Sequence, residues 1–151
     1  MGGVFQASSG VPFTPGFAGD SLGVGSTEPG VDVPNVLRGP DCGSYVNPGN
    51  PNHYVRTQCF EVPNPIALRG NLGRNTLTGP GLLNFDLSVV KNNHVKRVSD
   101  AFNVLNRANF APPLDNRNIF DATGAAIANA GLITSTQTPS RQIQLALKVI
   151  W

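Results

Sequence analysis

The chain has 151 residues, room for one domain of ordinary size, with only 13% charged and 40% hydrophobic residues. The balance is rich in Gly (17) and Pro (13) with many Asn, Ser and Thr, which suits turns between short strands and argues against a helical bundle. A net charge of +2 is too small to point to nucleic acid, and no run of about 20 apolar residues can form a spanning helix, although barrel strands escape that test.

The opening MGGVFQASSG has neither the basic segment nor the apolar segment of a secretory signal, so export would depend on a signal upstream on a longer chain. Residues 3–8 read as the tail of a strand, with Val4 and Phe5 ahead of the polar exit Gln6-Ala7-Ser8. Residues 11–81 form a long irregular region punctuated by prolines, which lack a backbone donor and keep to edges and turns. Within it only residues 53–62, HYVRTQCFEV, offer a short strand. Cys42 and Cys59 lie in this region. In an oxidising compartment they can pair, closing a loop of about 15 residues for on the order of 3 kcal/mol; the alternative is two free thiols. A structureless loop of this length counts against a compact soluble domain and is ordinary for the outer loops of a membrane barrel.

Residues 83–89, LNFDLSV, alternate without a miss: Leu83, Phe85, Leu87 and Val89 to one side, Asn84, Asp86 and Ser88 to the other. Lys91-Asn92-Asn93-His94 reads as a turn, and residues 95–106, VKRVSDAFNVLN, as a second, less regular strand. Residues 111–138 are again irregular; the small-residue run 122–130 has some helical composition, weakened by Gly124 and by the lack of an apolar stripe. Residues 142–151, QIQLALKVIW, alternate once more, with Ile143, Leu145, Leu147, Val149 and Trp151 on one face. That is about the 9–11 residues a tilted transmembrane strand needs, and a closing Trp suits the aromatic girdle at a membrane interface.

Alternation alone also fits a half-buried soluble sheet. Three features favour the membrane: an aromatic terminus directly on a strand, connections that alternate long, short, long, and polar faces made of Asn, Asp, Ser and Gln, which tolerate a wet lumen better than a dry core. The expected fold is all-β, an antiparallel meander of about 3–5 strands with long loops, and an incomplete piece of a barrel, since closure takes about eight. The expected layout is a strand end at 1–10, an extracellular-type loop at 11–81, a strand-turn-strand at 82–110, a loop at 111–140 and the C-terminal strand at 141–151.

The run Gly70-Asn71-Leu72-Gly73-Arg74-Asn75, then Gly79-Pro80-Gly81, Asn84-Phe85-Asp86-Leu87-Ser88 and Lys91-Asn92, resembles the late-barrel signature of Oar-like TonB-dependent receptors, which often carry a carboxypeptidase-regulatory-like domain. Residues 101–110, AFNVLNRANF, resemble the next block of that family, and Pro139-Ser140-Arg141-Gln142-Ile143-Gln144 with the terminal aromatic resemble its last strand. The opening GVFQASSGVPF is similar to its strand-to-loop exit. The blocks stand in family order over nearly the whole chain. Two departures are the lack of the plug, the TonB box and most of the barrel, and a strand before Phe102-Asn103 that reads as shortened by an internal deletion. The resemblance implies substrate uptake or binding at the outer membrane. It implies as partners membrane lipid and the barrel-assembly machinery, with the TonB complex reached only through an N-terminal part not in this chain. It also implies a C-terminal insertion signal carried by Ile143, Leu145, Leu147, Val149 and Trp151.

No enzyme, cofactor or metal site is expected. The glycines of residues 70–81 lack the Gly-Lys-Ser/Thr ending of a phosphate loop, and a turn leading into a strand is their expected role. His53, His94, Cys42 and Cys59 have no compact zinc-ligand spacing. The oxygen-rich residues 115–121 lack the Gly and closing Glu of a calcium loop, and Ser8, Ser9 and Ser140 have no nucleophile context. The alternative to a receptor fragment is a small soluble all-β module that binds carbohydrate, with Tyr45, Tyr54 and Phe60 as stacking surface.

Overall fold

The computed structural model describes residues 1–25, 31–64, 66, 68–91 and 95–149. In chain order its strands are β1 (Gly2–Ser8), β2 (Pro12–Phe13), β3 (Gly16–Ala18), β4 (Asn35–Val36), β5 (Phe60–Glu61), β6 (Leu77–Thr78), β7 (Leu82–Lys91), β8 (Val95–Phe102), β9 (Asn118–Asp121) and β10 (Gln142–Val149). Three 3-10 turns, Pro40–Cys42, Pro51–His53 and Thr57–Cys59, complete the regular structure. The chain divides into a unit made of Met1–Ser9, Gly81–Phe110 and Ser135–Trp151 and a unit made of Gly10–Pro80 and Ala111–Thr134.

The first is a sheet unit, a four-stranded antiparallel sheet in the order β1-β7-β8-β10. The period-two segments form its strands because alternation gives each strand two unlike faces, and the registers keep like faces together. The sheet is all-antiparallel, as expected, and does not close among the described residues; β1 and β10 are its edges. Four strands are half of what the smallest barrel needs, so the described strands cannot close on themselves. One boundary differs from expectation: β8 stops at Phe102, because Asn103 adopts the left-handed φ of +49° and Asn106 that of +50°, ending the extended run.

The second is a loop unit, and here the expectation of an irregular 11–81 loop needs correction. It contains every buried hydrophobic side chain among the described residues, including Phe13, Phe17, Val33, Leu72, Leu77 and Ile119. Short pairings hold it: β2 with β6 and β4 with β5 antiparallel, β3 with β9 parallel. The parallel pair departs from an all-antiparallel plan; β3 and β9 come from distant parts of the chain, so no hairpin sets their direction. Between residues 53 and 62 only Phe60–Glu61 is strand, and Thr57–Cys59 is a 3-10 turn. Residues 111–140 are not wholly loop, since β9 lies within them, and residues 122–130 form no helix. Asp121 instead ties its own turn, its Oδ1 accepting from Thr123 N, Thr123 Oγ1 and Ala125 N, with Gly124 at φ +87°.

Side chains and close backbone approaches replace long ladders in this unit. Gly70 packs against the Pro34 backbone so closely that a Cβ would stand 2.2 Å from a carbonyl carbon, and its N–H donates to Val33 O. Asn71 N donates to Asn35 Oδ1 while Asn71 Oδ1 accepts from Val36 N. Asn75, at φ +54°, donates its N–H to Thr14 Oγ1 at 2.7 Å. The Gly70–Asn75 motif is thus a clasp of backbone turns. Cys42 and Cys59 are joined as a disulfide across 17 residues, with Cys59 fully buried.

Candidate functional site

The registers decide what the sheet presents. Directly paired residues share a face, and along β1, β7 and β8 they match Phe5 with Phe85, Ala7 with Leu83, Leu87 with Ala101 and Val89 with Ser99. Across β8 and β10 they match Ala101 with Ile143, Ser99 with Leu145 and Arg97 with Leu147. One face therefore carries Phe5, Ala7, Leu83, Phe85, Leu87, Val89, Ala101, Ile143, Leu145 and Leu147, broken by Ser99 at its centre and by Arg97 and Lys91 near one end. The other carries Gln6, Ser8, Asn84, Asp86, Ser88, Asp100, Gln142 and Gln144, with Val4, Leu82, Val90, Val98, Phe102 and Ala146 interspersed.

The apolar face is half-buried at Leu83, Phe85, Leu87 and Ala101 on its central strands and open on its edge strands. Ile143, Leu145 and Leu147 are 66%, 78% and 66% exposed, and Phe5 is 64% exposed. Exposed large apolar side chains gathered on one face of a sheet mark contact with a partner or a membrane. Of the residues expected to form the insertion signal, Ile143, Leu145 and Leu147 stand on this face. Val149 continues the register opposite Val95, though its side chain, like Trp151, lies outside the described residues. Asn92, Asn93 and His94 of the expected turn also lie outside them.

On the polar face a knot of amides fastens the end of the sheet. Asp86 Oδ1 accepts from Asn84 Nδ2 at 3.0 Å and from Asn103 N at 2.9 Å. Asn103, 3% exposed, donates through Nδ2 to Arg107 O and Pro139 O and accepts Arg107 N on Oδ1. Asn109 takes Leu83 N on its Oδ1 and gives Nδ2 to Thr138 Oγ1. These two asparagines are the only buried side chains of the sheet unit among the described residues. Sequence reading placed them in a family block without a role; the signal for one is the Asn at a strand end, where a left-handed φ is tolerated. Beside the knot a cavity of about 270 Å3 is lined by Asn84, Asp86, Asn103, Pro139, Gln142 and Gln144 among others.

The other sites considered from sequence resolve into structure. Tyr54 and Phe60 are 2% and 5% exposed, which corrects the expectation of a sugar-stacking surface: Tyr54 donates its hydroxyl to Thr78 O, and Phe60 packs on Tyr45 with centroids 5.4 Å apart. Burial pushes the Tyr54 phenol above its ordinary 10.0. In residues 115–121, Asn116 donates its Nδ2 to Leu132 O and accepts Asn129 Nδ2 on its Oδ1, and Asp121 Oδ1 is taken up by its own turn. The Thr123 hydroxyl and the neighbouring N–H groups hold the Asp121 carboxyl below its usual range. Among the described residues no cluster of ligating side chains could hold a metal.

An open antiparallel sheet with one partly exposed apolar face, one polar face and a large connecting unit is the wall of an outer-membrane β-barrel. The family model described as the outer membrane beta barrel domain matches residues 1–144, and the chain belongs to that family. Neither the curated proteins nor the solved structures yield a match.

Proposed function

We propose that the chain is wall and loop of an Oar-like TonB-dependent receptor, working in substrate uptake or binding at the cell surface and catalysing no reaction. The carrying observation is the partly exposed face on which Ile143, Leu145 and Leu147 continue the apolar surface of β7 and β1. In this reading that face meets hydrocarbon and the Asn84, Asp86, Gln142 and Gln144 face lines the wet lumen. The order of the Gly70–Asn75, Asn84–Ser88 and Ala101–Phe110 blocks supports the Oar-like type over other barrels. TonB coupling would come through a plug domain, and the last strand would be read by the barrel-assembly machinery.

The test uses that last role. Residues 142–151 are grafted in place of the last strand of a reporter barrel, and heat-modifiable barrel is scored in the outer membrane. The graft is expected to support assembly. Exchanging Ile143, Leu145 and Leu147 for Ser is expected to abolish it, and exchanging Gln142 and Gln144 is expected to leave it intact. Equal assembly by both sets removes the signal role. Receptor function is tested separately, by loss of solute uptake when the locus that encodes the chain is deleted.

A further inference from the structure

The loop unit holds a second cavity, of about 330 Å3, at the small end of the range of ligand pockets. Its walls are apolar, from Val11, Pro12, Phe13, Val31 and Leu114, and its polar groups are cationic or neutral: Arg74, Arg117, Asn75 and Thr14. Neither guanidinium has a hydrogen-bond or ion-pair partner among the described residues, and no carboxylate among those residues lines the cavity. Two unpaired arginines at one pocket repel each other, so the arrangement favours an anion between them.

Ordered backbone carries both. Arg74 precedes Asn75, whose left-handed backbone is fixed by its N–H bond to the buried Thr14 hydroxyl. Arg117 precedes Asn118, the first residue of β9, which pairs with Gly16 of β3. Phe13, a buried lining residue, pairs with Leu77 through β2 and β6. The backbone that carries each arginine is therefore ordered before any ligand arrives, which leaves only side-chain ordering to the binding step. Val11 and Leu114 remain 52% and 43% exposed at the same cavity, apolar surface that a ligand's body would cover.

We infer that this pocket binds an organic carboxylate with a compact apolar body, its carboxylate between Arg74 and Arg117 and its body against Phe13, Val11 and Leu114. The inference goes beyond the transport reading and does not rest on it, because the whole site lies in the loop unit.

The probe is 3-phenylpropionate, titrated into the full chain in detergent by calorimetry, with 3-phenylpropanamide as the uncharged isostere. The acid is expected to bind saturably, and the amide about tenfold or more weakly, since it loses the charge-assisted pair. Arg74→Gln and Arg117→Gln are each expected to weaken the acid about tenfold and to leave the amide unchanged. Arg74→Lys and Arg117→Lys keep the charge and are expected to fall in between. Both arginines are at least partly exposed and unpaired, so these variants retain the fold, checked by near-ultraviolet dichroism. Equal binding of acid and amide, unchanged binding by the Gln variants, or no saturable binding of the acid would each overturn the assignment. A failed graft of residues 142–151 leaves these results standing, so the two readings fail separately.

Discussion

Leu145→Arg separates a lipid-facing sheet from a water-facing one. Leu145 lies near the middle of β10, opposite Ser99, flanked on its face by Ile143 and Leu147, and it is 78% exposed. In hydrocarbon, an arginine near the bilayer midplane of a barrel strand costs about 2–4 kcal/mol. That is roughly a 30- to 900-fold loss of membrane partitioning. In water the same exchange at so exposed a position stays within about 0.5 kcal/mol. Gln144→Arg is the internal control, one residue away on the polar face, where a charge meets lumen water. The assay grafts residues 142–151 in place of the last strand of a reporter barrel, so that the strand is paired on both edges, and reads the unfolding of that barrel from zwitterionic phospholipid vesicles in urea. The graft with Gln144→Arg is expected to match the unchanged graft, and the graft with Leu145→Arg to lose about 2–4 kcal/mol. Equal loss in the two variants would refute the face assignment.

Breaking the Cys42–Cys59 bond, by reductant or by Ser at both positions, is expected to destabilise the loop unit by about 3 kcal/mol, as its loop length implies; thermal melts with and without reductant measure it. Asn103→Ala removes the side chain that bonds Arg107 N, Arg107 O and Pro139 O and leaves a left-handed residue without its tolerated side chain, so a loss of about 2–4 kcal/mol is expected. Asn103→Gly, which restores the backbone freedom alone, should recover only about 1 kcal/mol of that in urea titration. Tyr54 gives a pH signature. Its folded-state pKa is raised, so the unfolded chain ionises first, and the stability that burial of the neutral phenol lends is intact below 10.0 and lost as pH rises through the folded value. Tyr54→Phe should abolish that alkaline loss while costing about 1 kcal/mol at neutral pH for the bond to Thr78 O, read from melts across pH 8–12.

The sheet was legible because each face of a strand meets one uniform environment. That imprints a period of two on residues 83–89 and 142–149, and the hydrophobic pattern then selects the register. β8 was harder to read, since Arg97 and Ser99 share the apolar face with Ala101 and only pairing to β7 and β10 reveals it. The loop unit was not legible as a folded body. Val33, Leu72 and Ile119 follow no local period, and they are assembled by bonds such as Asn71 to Asn35 and Asn75 to Thr14 that join segments far apart in the chain. Tyr54 and Phe60 misled because aromatic residues in a Pro-rich stretch resemble a binding surface. The buried disulfide at Cys59 and the pairing of Phe60 with Val36 draw that stretch inward instead. Arg74 and Arg117 gave no joint signal for the same reason: only the three-dimensional fold makes them neighbours of one cavity.

The distribution of burial carries the physical argument for a membrane. A sheet in water hides its apolar face and leaves its connections solvated. Here the polarity is reversed: among the described residues the connections gather every buried hydrophobic side chain, while the sheet's apolar alternates are half-buried at Leu83, Phe85 and Leu87 of β7 and exposed on β1 and β10, and its sole buried side chains are two asparagines. Such a sheet gains little from the hydrophobic effect until something apolar covers it. Its backbone, unlike its face, is already provided for: hydrogen bonds join β1, β7, β8 and β10, leaving only the outer edges of β1 and β10 to be paired. Unpaired edges are intolerable in hydrocarbon, where no water can satisfy them, so the same solvent that rewards the apolar face demands further strands on both sides. The two demands are met together only when the sheet is part of a closed cylinder.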